Sequence, residues 1–311
     1  MPSAWAGAVR WMLRGIVRPL FMRGDYVDWR RRMVTTPAPL GVHVVPARLG
    51  GVDGEWLVPA DTGATILYYL HGGGFVVGGP PLYRRMVGTL AARTGARAFL
   101  PDYRLAPEHP FPAAIDDCVA GYRALVGRGV SPSDIVVAGD SAGGALALSM
   151  LVALRDAGDP LPAAAALLSP VTDLTLSGES MRTRVADEVL LAPEWCHDVA
   201  RLYLSGADAR AASPLFAELR GLPPLLVQVG THELLLDDAR RFAAAARAAA
   251  VAVRLVEWEA LWHVFPMFVS VPESRRALDM IAAFALAHAG APADALDDEP
   301  APDALWAPER A

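Results

Sequence analysis

Residues 134–148 read D-I-V-V-A-G-D-S-A-G-G-A-L-A-L. Residues 135–138 are a compact, β-branched, apolar run of the kind buried on both faces of a sheet. From Ala145 the chain continues in good helix formers. Between the two, Gly139-Asp140-Ser141-Ala142-Gly143 is a G-x-S-x-G turn. Such a turn sets a serine on a tight strand-to-helix corner with its hydroxyl clear of the sheet. Its glycines avoid collision with the neighbouring strand and helix. Gly and Ser also close ordinary βα connections, so the turn alone does not decide a function. Nucleophilic catalysis by Ser141 requires a base, an acid and an oxyanion hole elsewhere in the chain.

Outward from this turn, short apolar strands alternate with amphipathic helices. Strands are expected at residues 42–46, 55–59, 64–70, 96–100, 163–168, 225–229 and 251–257. Helices are expected at residues 83–93, 113–126, 235–249 and 273–289. This alternation implies an α/β fold, with a mostly parallel sheet covered by helices on both faces. Residues 171–212 break the rhythm with polar loops and a helix at 193–204, and form a candidate lid. Residues 4–22 read as a helix with Arg10, Arg14 and Arg18 on one face and Trp5, Val9, Leu13, Ile16 and Leu20 on an apolar one. Packing on its own protein is expected for it, rather than a membrane surface. From residue 290 the chain is rich in Ala, Pro and Asp, the composition of a disordered tail.

The 311 residues suit one large α/β domain, and 53% hydrophobic residues provide for a substantial core. The net charge of −6 gives no reason to expect nucleic acid. No apolar run of transmembrane length lacks a charge, so no stable membrane insertion is expected. The chain contains no lysine, which excludes a P-loop, a Schiff-base enzyme and a Ser-x-x-Lys hydrolase. Cys118 and Cys196 form neither a disulfide framework nor a metal-ligand pattern, and free buried thiols in a reducing cytoplasm are expected.

Of the seven histidines, His263 alone directly follows the last strand, in Glu259-Ala260-Leu261-Trp262-His263-Val264-Phe265. α/β hydrolases carry nucleophile, acid and base in that order. The acid then belongs after Val229, in Gly230-Thr231-His232-Glu233-Leu234-Leu235-Leu236-Asp237-Asp238. Glu233 falls in the loop, whereas Asp237 and Asp238 fall in the first helical turn, where the helix dipole suffices to explain a carboxylate. Glu233 is therefore preferred over Asp237 as the group that orients the base. Oxyanion donors are expected from the triple glycine Gly72-Gly73-Gly74 and from the N–H of Ala142.

The stretches HGGGF, YRLAPEHPFPAAIDD, GDSAGG, SPVTDL and W-H-x-F resemble those of the hormone-sensitive-lipase family of bacterial carboxylesterases. The resemblance runs from about residue 40 to the end of the terminal helix. It implies the α/β-hydrolase fold, oxyanion donors at Gly73, Gly74 and Ala142, and support of the glycine loop by His71 and Gly72. It also implies a cap built from residues 1–38 and the insertion at 171–212 around a domain of residues 39–289. The family's acid is usually an aspartate in D-P-L-x-D-E; here Glu233-Leu234-Leu235-Leu236-Asp237-Asp238 places a glutamate there.

The expected function is hydrolysis of short- to medium-chain carboxylic esters by Ser141, Glu233 and His263, with no metal or organic cofactor. A natural-product deacetylase or lactone hydrolase would use the same triad. A non-catalytic small-molecule receptor is disfavoured because His263 is present. A lipase acting at lipid surfaces would rest on the N-terminal helix alone. Trp262, Trp11, Phe21 and Trp29 either narrow the pocket or pack in the core. Related enzymes are often dimeric, so the resemblance allows a homodimer, although nothing in the sequence marks an interface.

Overall fold

The computed structural model describes residues 2–21, 26–31 and 34–290. Strands β1 (Val42–Leu49), β2 (Val52–Pro59), β3 (Ile66–Leu70), β4 (Arg97–Pro101), β5 (Ile135–Asp140), β6 (Ala164–Leu168), β7 (Leu225–Gly230) and β8 (Val253–Trp258) form one sheet. Its order is β1-β2-β4-β3-β5-β6-β7-β8. β1 and β2 pair antiparallel, β2 pairs antiparallel with β4, and every other neighbour is parallel.

Side-chain alternation splits the core into two layers. Ile135 and Val137 of β5, with Tyr68 of β3 and Leu167 of β6, face one layer. Val136, Ala138, Tyr69 and Leu168 face the other. Before the sheet come helices α1 (Ala4–Met12), α2 (Arg18–Phe21) and α3 (Tyr26–Arg31). Helix α4 (Pro80–Thr94) covers the second layer, while α5 (Ala113–Gly127) and α6 (Ala142–Ala157) cover the first. The short α7 (Ser180–Thr183) and α8 (Pro193–Leu204) belong to the insertion that interrupts the alternation. Helix α9 (Leu236–Ala248) packs on the first layer and α10 (Pro272–His288) on the second.

The fold matches the expected α/β class, and the strands lie where the apolar runs placed them. The first hairpin is longer than expected. Its ladder continues to Leu49 opposite Val52, because Gly50 and Gly51 adopt positive φ and close the turn there. Pro46 is tolerated within β1 because β1 is an edge strand.

The N-terminal helix buries Val9 and Leu13 of its expected apolar face, with Ala6 beside them, packing with Val189, Leu261, Trp262 and Phe265. Trp5 and Ile16 are instead about half exposed, at 53% and 51%. A π-helical turn over Leu13–Val17 shifts the phase of the helix. Arg10 and Arg18 are drawn inward to the loop at residues 187–188, leaving Arg14 exposed. Burial of Val9 and Leu13 contributes about 1.5–3 kcal/mol each. The tail expected beyond residue 290 lies outside the described residues, as does the Phe21 side chain.

Candidate active site

Ser141 sits between β5 and α6 with φ +52° and ψ −120°. A residue other than glycine costs of order 1–3 kcal/mol in such a conformation and keeps it only when neighbours enforce it. The Ser141 N–H donates to Leu168 O at 2.9 Å, and its carbonyl accepts from Val171 N at 3.0 Å. The turn's glycines are required by contact. A Cβ on Gly139 would lie 2.5 Å from Gly143 O, and one on Gly143 would lie 2.0 Å from Leu70 O.

The end of β5 and the loops after β7 and β8 bring three side chains into one line. Ser141 Oγ lies 3.0 Å from His263 Nε2. His263 Nδ1–H donates to Glu233 Oε2 at 2.7 Å. Glu233, fully buried, accepts at its other oxygen from Gly230 N at 2.6 Å and from Ser169 Oγ at 2.9 Å. Ser169 Oγ also accepts from Val264 N at 3.2 Å, so one hydroxyl joins the acid to the histidine loop. Asp237 and Asp238 are engaged elsewhere. Asp237 accepts from Ser180 N, and Asp238 from Thr172 N and Asp173 N, all three tying the insertion to α9. Burial pushes the Asp238 carboxyl up to about 7.

Burial opposes a charge on His263, but it is outweighed by the hydrogen bond to Glu233 and the negative charges of Glu233, Glu188 and Asp140. The His263 pKa is therefore raised above its ordinary value. The ring is thus a stronger base than free histidine and holds Nε2 toward the serine. Neither cysteine competes as a nucleophile. Burial raises the thiol of Cys118 well above its usual range and that of Cys196 to about 12.

The glycine loop follows β3. Gly73 and Gly74 adopt positive φ, and a Cβ on Gly73 would lie 2.1 Å from Val77 O. The Gly72 N–H is taken by Asp140 Oδ1 and the Tyr83 hydroxyl, both at 3.0 Å. Among the described residues, the N–H groups of Gly73, Gly74 and Ala142 have no hydrogen-bond acceptor. His71 lies beneath the loop, its Nδ1–H donating to Gly72 O at 2.8 Å and its ring stacked on Tyr103 at 4.1 Å. Burial lowers the His71 pKa to about 4, so the ring is neutral. From α3, Arg30 donates to Val76 O at 2.6 Å and fixes the far side of the loop.

Sequence reasoning missed the carboxylate of Asp140, the x of the G-x-S-x-G turn. It accepts from Tyr69, Tyr83 and Gly72, coupling the serine turn to the glycine loop. Burial, only partly offset by these donors, raises its pKa to about 6. Ser169 and Glu188 were also missed. Buried Glu188 accepts from Val189 N and Leu190 N at 2.8 Å and from Leu234 N at 3.2 Å, and burial raises its pKa.

An apolar slot opens at Ser141, lined by Gly74, Leu174, Leu191, Trp195 and Val199 among others. Its cavity volume is about 20 Å³, little more than one water needs. Trp195 and Val199 of α8 press on the glycine loop so closely that a Cβ on Gly74 would meet Trp195 at 2.7 Å. The other aromatics considered lie elsewhere. Trp262 is buried against α1, Trp11 is 74% exposed, and Trp29 packs against the first core layer. Among the described residues, no three His, Cys, Asp or Glu side chains cluster as metal ligands, and no helix is long and apolar enough to cross a membrane.

Comparisons with known proteins give the family. The family profile of the alpha/beta hydrolase fold matches residues 67–267. An acetyl-hydrolase of Streptomyces hygroscopicus is 45% identical over 239 residues, 76% of this chain and 80% of that protein. An esterase of Acinetobacter venetianus is 40% identical over 249 residues, 78% of this chain and 82% of that protein. A crystal structure of an esterase from the bacterial hormone-sensitive lipase family superimposes with a TM-score of 0.89 at 40% identity, over 93% of this chain and 100% of that one. The chain belongs to the bacterial hormone-sensitive-lipase family of carboxylesterases, built on the α/β-hydrolase fold.

Proposed function

We propose that this chain, an ester hydrolase by its family, cleaves short- to medium-chain acyl esters through an acyl-enzyme on Ser141. The observation that carries this is the unbroken relay from Ser141 through His263 to Glu233, opening onto a small apolar slot. His263 Nε2 takes the serine proton as Oγ attacks the ester carbonyl. Glu233 holds the tautomer and stabilises the imidazolium. The developing oxyanion accepts from the N–H groups of Gly73, Gly74 and Ala142, each such donor contributing about 3 kcal/mol to transition-state stabilisation. The alcohol leaves with the proton from His263. A water deprotonated by the same nitrogen then releases the acid and regenerates Ser141.

The slot receives the acyl chain, and its small volume sets the preference at the short end, in keeping with a relative named as an acetyl-hydrolase. Residues 1–38 and 171–212 act as the cap, since α8 lines the slot and Arg30 braces the glycine loop. The substrate is a small-molecule ester. The buried free thiols of Cys118 and Cys196 suit a reducing cytoplasm.

A p-nitrophenyl ester series from acetate to laurate, with mass mapping of a serine-directed phosphonate, tests the proposal. Adduct at Ser141, loss of turnover in Ser141→Ala and a maximum at short chains are expected. An adduct elsewhere, or a fully active Ser141→Ala, refutes it.

A further inference from the structure

Arg10 does more than dock its helix. Its guanidinium reaches three separate segments that carry or flank the relay. Nη1 donates to His232 Nδ1 at 2.5 Å and to Ala260 O at 3.5 Å. Nη2 donates to Asp187 O at 3.0 Å and lies 4.0 Å from the Asp187 carboxylate. His232 immediately precedes Glu233, Ala260 lies three residues before His263, and Asp187 immediately precedes Glu188.

The residue after Glu233 is held from the same loop, because Leu234 N donates to Glu188 Oε2. Arg18, two turns further along the N-terminal helix, donates to Glu188 O at 3.1 Å. Glu233 is therefore bracketed, with His232 pinned by Arg10 and Leu234 by Glu188. The helix that supplies both arginines is fixed independently. Ala6, Val9 and Leu13 pack against Trp262, beside the base, and Ser3 bonds the Glu273 carboxylate of α10.

We propose that Arg10 is a positioning residue for ester hydrolysis: it locks the acid loop, the histidine loop and the loop at 187–188 into the register that keeps Glu233 on His263. This rests on the assignment of Ser141, His263 and Glu233 above. A planar guanidinium suits the task, since its fork serves several acceptors in fixed directions where an ammonium would serve them loosely. Its effect falls on turnover rather than on substrate binding, because none of its partners lines the slot.

The test is steady-state kinetics of full-length Arg10→Met on p-nitrophenyl acetate, with phosphonate labelling and thermal unfolding measured alongside. A displacement of the relay by about 1 Å costs on the order of 100-fold, so kcat should fall about 10- to 100-fold with KM nearly unchanged, and the labelling rate should fall in proportion. His232→Leu removes the acid-loop acceptor at a half-buried position and should lower kcat several-fold in the same way, which keeps the proposal testable if Arg10→Met does not fold. Wild-type kcat in a folded variant overturns it, as does a raised KM with kcat preserved. Wild-type protein labelled away from Ser141 would instead overturn the underlying assignment, before any Arg10 variant is made.

Discussion

Glu233→Gln separates the two carboxylates that the sequence left in competition. In the wild-type protein, Glu233 Oε1 faces two donors, Gly230 N at 2.6 Å and Ser169 Oγ at 2.9 Å, while Oε2 faces His263 Nδ1 at 2.7 Å. A glutamine has one oxygen to offer. If its NH2 faced Gly230 N–H, two donors would oppose each other in a dry site, at a cost of about 1–3 kcal/mol. The oxygen therefore stays on Gly230, and the NH2 donates to His263 Nδ1. That moves the ring proton to Nε2, which then presents a donor to Ser141 Oγ across 3.0 Å where an acceptor is needed. The wrong tautomer in a comparable serine–histidine–acid relay costs about 10⁴-fold in kcat, or about 5.4 kcal/mol at 1.36 kcal/mol per decade. Asp237→Asn removes only a charge at the start of α9 and weakens the contact with Ser180 N, so it should leave kcat within about threefold and cost about 0.3–1 kcal/mol of stability. Turnover of p-nitrophenyl acetate by titrated active sites at pH 8 measures both. A Glu233→Gln enzyme retaining more than a tenth of wild-type kcat, or a larger loss in Asp237→Asn, would refute the reasoning.

In the proposed mechanism His263 acts in its neutral form, and its pKa is raised, so kcat/KM should be lost as pH falls through a limb centred above 6.5. The same shift adds stability that is complete below the unfolded value of 6.5 and lost as pH rises through the folded one. Glu188→Gln should move that limb to lower pH, and a wild-type limb at or below 6.5 in the pH–rate profile would contradict the electrostatics. Trp195→Ala should lengthen the slot and raise the octanoate-to-acetate ratio of kcat/KM by at least about tenfold, the lower bound for one methylene in an apolar pocket; an unchanged ester profile would show that Trp195 does not set chain length.

The parts legible in the sequence are those set by local pattern. Strand β5, its turn and the first helix former after it read directly, because a doubly buried strand needs an apolar run and a crowded corner needs glycine at 139 and 143. The order of Ser141, Glu233 and His263 was readable because each follows its own strand. The supporting groups were not. Ser169 reads as an ordinary residue after β6, and its use comes from the loops after β7 and β8 converging on its hydroxyl. Glu188 carries no periodic signal, and its three donors are backbone groups whose positions depend on how two loops close. On the N-terminal helix Val9 and Leu13 are buried as the pattern indicates, but Ile16 is exposed, since helical periodicity cannot anticipate the π-helical turn over Leu13–Val17.

The N-terminal segment is fastened largely through main-chain oxygens. Arg10 grips Asp187 O and Ala260 O, Arg18 grips Glu188 O, and Arg30 grips Val76 O and Ala106 O. A carbonyl is present whatever side chain stands at its position. Residues around the slot, such as Leu191, can therefore be exchanged by design while those carbonyl acceptors stay in place. On the proposed function, substrate range can be redesigned at the slot without rewriting how the N-terminal segment is attached.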